Sequence, residues 1–173
     1  MNGNWTEREE RLVKLPDGNP EIFAIYVNLV YTNIVATIQS EAPKEMGMLT
    51  GEFEALSKLF VLSEKLYDTA AKNAVLEAIL AVVNEPDAAG KKYYPTCEAV
   101  RLMYEGTYTG SSGRRLLVDI WTHINWSCLE LSAVQLPKEF YVDLALAMRR
   151  DRPAGRKSVA ERSDASQYMV NVE

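Results

Sequence analysis

Asn19-Pro20-Glu21-Ile22-Phe23-Ala24-Ile25-Tyr26-Val27-Asn28-Leu29-Val30-Tyr31-Thr32-Asn33 is the stretch whose reading sets the fold class. The Asn19 side chain can accept from an orphan N–H at a helix start. Pro20 suits the first helical position, and Glu21 answers the positive end of the helix dipole. Behind that start, Ile22, Phe23, Tyr26, Val27, Leu29, Val30 and Tyr31 are apolar around most of the circumference. The pattern predicts a central helix rather than a surface one, ending near Thr32-Asn33.

Outward toward the N-terminus, Arg8 to Leu15 reads as a short strand, with Val13 and Leu15 on one face and Leu12 and Lys14 on the other. Pro16-Asp17-Gly18 turns it into the helix. On the other side, Ile34 to Ile38 is β-branched enough for a second short strand. Glu41 to Glu45 breaks the pattern. Thr50 is the expected cap of a helix carrying Phe53, Leu56, Leu59, Phe60, Ser63, Leu66 and Tyr67 at intervals of three and four. A turn at Asp68-Thr69 leads to a helix with Ala71, Ala74, Val75, Ala78, Ile79, Val82 and Val83 on one stripe, an antiparallel neighbour of the one before.

Periodicity lapses from Glu85 to Pro95. Thr96 then caps a helix through Ala99, Val100, Leu102, Met103 and Tyr104. Gly106 to Gly113 reads as a loop. Arg114 to Leu131 reads as a helix with Leu116, Leu117, Ile120, Trp121 and Ile124 inward. Pro137 starts a last helix with Phe140, Leu144, Ala145 and Met148 inward, and a polar, basic tail follows from Arg149.

Composition narrows the function classes. The chain has 173 residues, 47% of them apolar and 25% charged, with a net charge of −5. That supports one domain, or one domain with an appendage, and a core of ordinary size. Two cysteines exclude a disulfide scaffold and, with one histidine, leave little for a zinc site. The acidic excess argues against nucleic acid. The uncharged run from Ile22 to Ser40 carries Asn28, Thr32, Asn33, Thr37 and Gln39, so it reads as a buried helix and strand rather than a membrane span. The start at Met1 to Trp5, followed by Glu7, Glu9 and Glu10, does not resemble a signal peptide, and the expected compartment is cytoplasm or nucleus.

No motif carries a chemistry. His123 lacks the companions of a triad or metal site and reads as a structural helix histidine. Cys97 and Cys128 are too far apart for a metal knuckle. Gly110 to Arg115 lacks the Gly-Lys-Ser/Thr ending of a phosphate loop, and its two arginines read as surface charges or partners of Asp119. Glu52, Glu54 and Glu64, with Lys58, read as a solvated face. Arg156-Lys157-Ser158 reads as part of a solubilising tail, with a kinase site or nuclear-localisation patch as alternatives. The expectation is a non-enzyme with no catalytic, cofactor or metal residues.

Several fragments carry a family resemblance in order. They are Leu12-Val13-Lys14-Leu15-Pro16, Asp17-Gly18, Pro20-Glu21-Ile22-Phe23, Tyr26 to Thr32, and Leu56 to Leu66. This run resembles the second half of a BTB/POZ domain. Tyr104-Glu105-Gly106-Thr107, Arg114 to Asp119 and Leu136 to Phe140 are similar to fungal members of that family. Asn33 stands where the family has glycine, and asparagine tolerates the left-handed conformation.

The resemblance implies a truncated α+β BTB/POZ domain over 1–85 with one or two residual strands. A C-terminal helical extension would cover 86–150 and a flexible basic tail 151–173. It implies a protein–protein interaction module, a ubiquitin-ligase adaptor or an oligomerisation domain, whose partner is another BTB chain or a cullin scaffold. Homodimerisation stays open, because the elements that usually form the dimer are partly missing. The elements that precede this segment in the family have no counterpart here, so apolar surface is expected to be uncovered near Phe23, Tyr26 and Val30, the candidate partner-binding residues. A non-functional remnant and, last, a cryptic enzyme using His123 or Cys128 are the alternatives.

Overall fold

Asn19 does start the first helix. Its side chain accepts from the N–H groups of Glu21 (2.9 Å) and Ile22 (3.4 Å), and Pro20 opens helix α1, Pro20–Thr32. A computed structural model describes residues 19–36, 51–86, 90, 92–124 and 136–150. The further elements are α2 (Glu52–Lys65), α3 (Thr69–Asn84), α4 (Cys97–Gly106), α5 (Ser112–Trp121) and α6 (Lys138–Arg150). The described residues are mainly helical, as expected. The strand read over Arg8 to Leu15 lies outside them. Of the second, Ile34 to Ala36 is irregular rather than strand, and Thr37 and Ile38 lie outside.

The centre of the bundle is α2, not α1. It packs against α1, α3 and α4, while α5 and α6 pack on each other and on α4. The reason is in the side chains. Phe53, Leu56, Leu59 and Phe60 are all at most 1% exposed, with Leu62 and Ser63 also buried, so several sides of α2 are covered at once. Small residues on its neighbours allow the close approach. A methyl group on Gly113 would lie 2.8 Å from Phe60 and 2.5 Å from the Met103 sulfur, and one on Gly106 would strike the Val61 methyls.

Helix starts and stops explain most of the rest. The cap of α2 is Gly51 at φ 100°, without a side-chain bond, whereas Thr50 lies outside the described residues. Asp68 caps α3 by accepting from the Ala71 N–H at 2.9 Å, and Thr96 caps α4 by accepting from the Ala99 N–H at 3.0 Å. Helix α5 begins at Ser112 and ends at Trp121, short of Leu131, and residues 125–131 lie outside the described set. On α6 the buried positions are Phe140, Leu144 and Ala147; Ala145 and Met148 face outward.

The α2–α3 corner is closed by a residue in an expensive conformation. The Asp68 N–H donates to the Ser63 carbonyl at 2.9 Å and the Tyr67 N–H to that of Glu64 at 3.1 Å. This is the paired bonding of a Schellman stop, with Tyr67 at φ 56° where glycine is usual. Tyr67 is 90% exposed, so no packing offsets the strain. Tyr67→Gly is therefore expected to raise stability by about 1 kcal/mol, read as a higher midpoint in urea. An unchanged or lower midpoint would contradict the strain.

Candidate functional site

The candidate site is the outer face of α1. Helical periodicity separates Ile22, Ile25 and Leu29, which are buried against α2 and α3, from Phe23 and Val30 on the other side, with Val27 half-buried between them. Phe23 is 43% exposed and Val30 56%. Tyr31 and, just past the helix, Ile34 extend the stripe and are more exposed still. Asn33 ends the helix in the left-handed conformation that asparagine tolerates, donating its N–H to the Leu29 carbonyl at 2.8 Å. Glu21 is the only charged residue in the helix.

The three residues read from the sequence separate here. Phe23 and Val30 are exposed as expected. Tyr26 is half-buried instead, because its hydroxyl donates to Asp68 Oδ2 at 2.9 Å. It bolts α1 to the start of α3, and its ring sits 6.3 Å from that of Phe23, a rim position beside the stripe. Tyr31 and Ile34 are not among the sequence candidates: Tyr31 follows Val30 on the same apolar helix, which is the available signal, whereas Ile34 lies past the helix end where the sequence reads as a strand.

Asp68 is the electrostatic centre of that joint. The Ala71 N–H, and after it the Tyr26 hydroxyl, hold its carboxyl below the ordinary carboxylate range. Burial and the Asp68 bond push the Tyr26 hydroxyl up. A depressed carboxyl adds stability above its unfolded pKa of about 3.9, and that contribution disappears as pH falls through the lower folded value. Asp68→Ala is thus expected to cost about 1–2 kcal/mol at pH 7. The gap to the wild type should narrow progressively below about pH 4. Equal losses at pH 7 and pH 3 would contradict an ionised Asp68 as the tie.

The other sequence candidates are placed as follows. His123 is exposed just past α5, where its N–H donates to the Ile120 carbonyl. Cys97 is half-buried at the start of α4, and Cys128 lies outside the described residues, as do the tail residues Arg156, Lys157 and Ser158. Glu64 is not merely solvated: it pairs with Lys72 at 3.2 Å. Arg115 is exposed, but Arg114 is buried, and Asp119 pairs with Arg150 at 3.0 Å rather than with either of them. The local pattern could not show this, because what turns Arg114 inward is the set of carbonyls at the end of another helix.

Among the described residues, no three His, Cys, Asp or Glu side chains are grouped to hold a metal, and no helix is long and apolar enough to cross a membrane. The chain matches no protein-family model, no curated protein and no solved structure.

Proposed function

We propose that the chain is a non-enzymatic protein–protein interaction module of BTB/POZ type, acting in the cytoplasm or nucleus through the outer face of α1. The observation that carries this reading is the stripe of Phe23, Val30, Tyr31 and Ile34, an apolar face on a helix whose opposite face is anchored in a closed core. Side chains of this size leave on the order of 400 Å² of apolar surface, the range that marks interaction sites on monomers. That is below the ~800 Å² per side of a stable pair, so the face suits a partner that adds contacts of its own or binds transiently. The family resemblance makes a second BTB chain or a cullin scaffold the first partners to try.

The test is capture of purified candidates from those two classes by the intact chain, beside Phe23→Ser/Val30→Ser. Both positions are exposed, so the double variant should keep a cooperative melt within about 1 kcal/mol of wild type. Retention of one candidate by the wild type, reduced at least about tenfold in the double variant, is the expected outcome, equivalent to ~1.4 kcal/mol. Equal retention by both chains would place binding elsewhere and overturn the assignment. A non-cooperative, aggregating wild type would favour the remnant instead.

A further inference from the structure

A cleft at the junction of α4, α5 and α6 holds a charged group that the α1 face does not use. Arg114 is 8% exposed. Its Nε donates to Thr107 Oγ1 at 3.0 Å, and its Nη2 donates to the Tyr104 carbonyl at 2.6 Å and to the Thr107 carbonyl. The guanidinium carbon lies 4.5 Å from the centroid of the Tyr104 ring. All these acceptors are neutral, and no described carboxylate forms an ion pair with it. Nη1 has no described acceptor, yet it is not among the sealed polar atoms of the core. A guanidinium fixed by these bonds and by the ring, with Nη1 left unbonded, has little rotamer freedom left to lose when it binds an anion.

Arg114 and Tyr104 line a cleft of about 540 Å³ whose other uncharged walls are Thr109, Leu136 and Pro137. Arg114 also lines the groove along α5 and α6, but Tyr104, on whose ring the guanidinium lies, lines only the cleft. The other charges on the rim are Arg101, Glu105 and Glu139. Arg101 binds both oxygens of Glu105 at 2.7 Å and also pairs with Glu98, so one guanidinium serves two carboxylates and one negative charge is left in excess. Glu139 is exposed, and water screens only part of its repulsion of an incoming anion.

We propose that this cleft binds a single carboxylate carried on a small apolar body. The carboxylate takes the Nη1 donors of Arg114, and the body covers Leu136 and Pro137. One negative charge suits the site better than the two of a phosphate, because Glu139 remains nearby. The same chemistry could come from the C-terminus of a peptide or from a free aliphatic acid. The inference is independent of the α1 reading, since neither α1 nor its partner contributes to this cleft.

Ligand-observed NMR on the full chain tests it, with acetyl-Gly-Leu as the acid, its C-terminal amide as the control, and hexanoate as competitor. The acid is expected to bind at least about tenfold more tightly than the amide, the difference made by a charge-assisted bond. Glu139→Gln, at an exposed position that leaves the fold alone, should tighten acid binding about threefold by removing like charge. Arg114→Lys should weaken it at least about tenfold, because lysine cannot reproduce the held fork. Displacement of the peptide acid by hexanoate at equal concentration would mark the free acid as a sufficient ligand, and its failure would mark the peptide C-terminus; either supports the site. No binding, equal binding of acid and amide, or no response to Glu139→Gln would overturn it. The last two readings hold even if Arg114→Lys does not fold.

Discussion

Replacing Phe140 by alanine is expected to lower the stability of the chain by about 3–5 kcal/mol, the usual cost of emptying a phenylalanine site in a closed core. Phe140 is fully buried and carries α6. Its ring meets Trp121 of α5 edge-on at 5.4 Å and 82°, and Tyr104 of α4 at 5.6 Å and 84°. It also meets its neighbour Tyr141 at 6.1 Å. Each edge-to-face pair adds about 0.5–1.5 kcal/mol beyond the area buried, so the loss should fall at the upper end. Tyr104 would keep its other tie to α6, the bond from its hydroxyl to Asp143 Oδ2 at 2.7 Å. One hydrogen bond contributes about 1 kcal/mol and cannot hold the helix by itself. A drop of about 10–20 °C in the melting midpoint is the readable result for a chain of this length. A drop of only a few degrees would mean that α6 does not dock through this ring.

The second large effect is expected at Arg114. Its side chain serves the unpaired end of α4, where the last carbonyls of a helix have no partner within it. Thr107 Oγ1 donates to the Met103 carbonyl at 2.6 Å, and Arg114 supplies donors to the Tyr104 and Thr107 carbonyls and to the Thr107 hydroxyl. Arg114→Leu fills similar space but leaves those acceptors without donors. The Tyr104 carbonyl is buried and the Thr107 groups only partly so; a fully buried acceptor stripped in this way costs about 1–3 kcal/mol, and a total of ~3 kcal/mol is expected. Chemical denaturation of the two chains reads it. A leucine variant as stable as wild type would show that water reaches those carbonyls and that the arginine is not structural.

What the sequence makes legible is mostly where helices begin. Asn19 and Thr96 each accept a bond from the N–H expected for an N-cap, and short-range chemistry is enough to see that; Asp68, read only as part of a turn, caps α3 in the same way. Which face of α1 is covered is another matter. With apolar residues on nearly every side, local periodicity makes α1 look central, and only the packing of α2 against three neighbours decides otherwise. The turn after α2 is legible at Asp68-Thr69, but the helix ends two residues sooner than its periodicity, at Lys65, because Tyr67 takes a left-handed conformation that tyrosine does not advertise. The site divides in the same way. Phe23 and Val30 are legible as apolar residues that no predicted neighbour covers, whereas Tyr26 is claimed by an aspartate 42 residues away. Arg114 looked like a surface charge because its acceptors belong to another helix, and no spacing within its own segment predicts them.

Helix α1 buries one face in the bundle, and in the proposed role its other face meets a protein partner. Placing the photo-crosslinking residue p-benzoylphenylalanine at position 30, in place of the exposed Val30, tests it directly. The same residue in place of the exposed Asn73 on α3 serves as control. After irradiation of the intact chain with the candidate retained in the capture experiment, a discrete adduct from position 30 and none from position 73 is the expected result. Equal adducts at both positions, or an adduct from position 73 alone, would contradict the account.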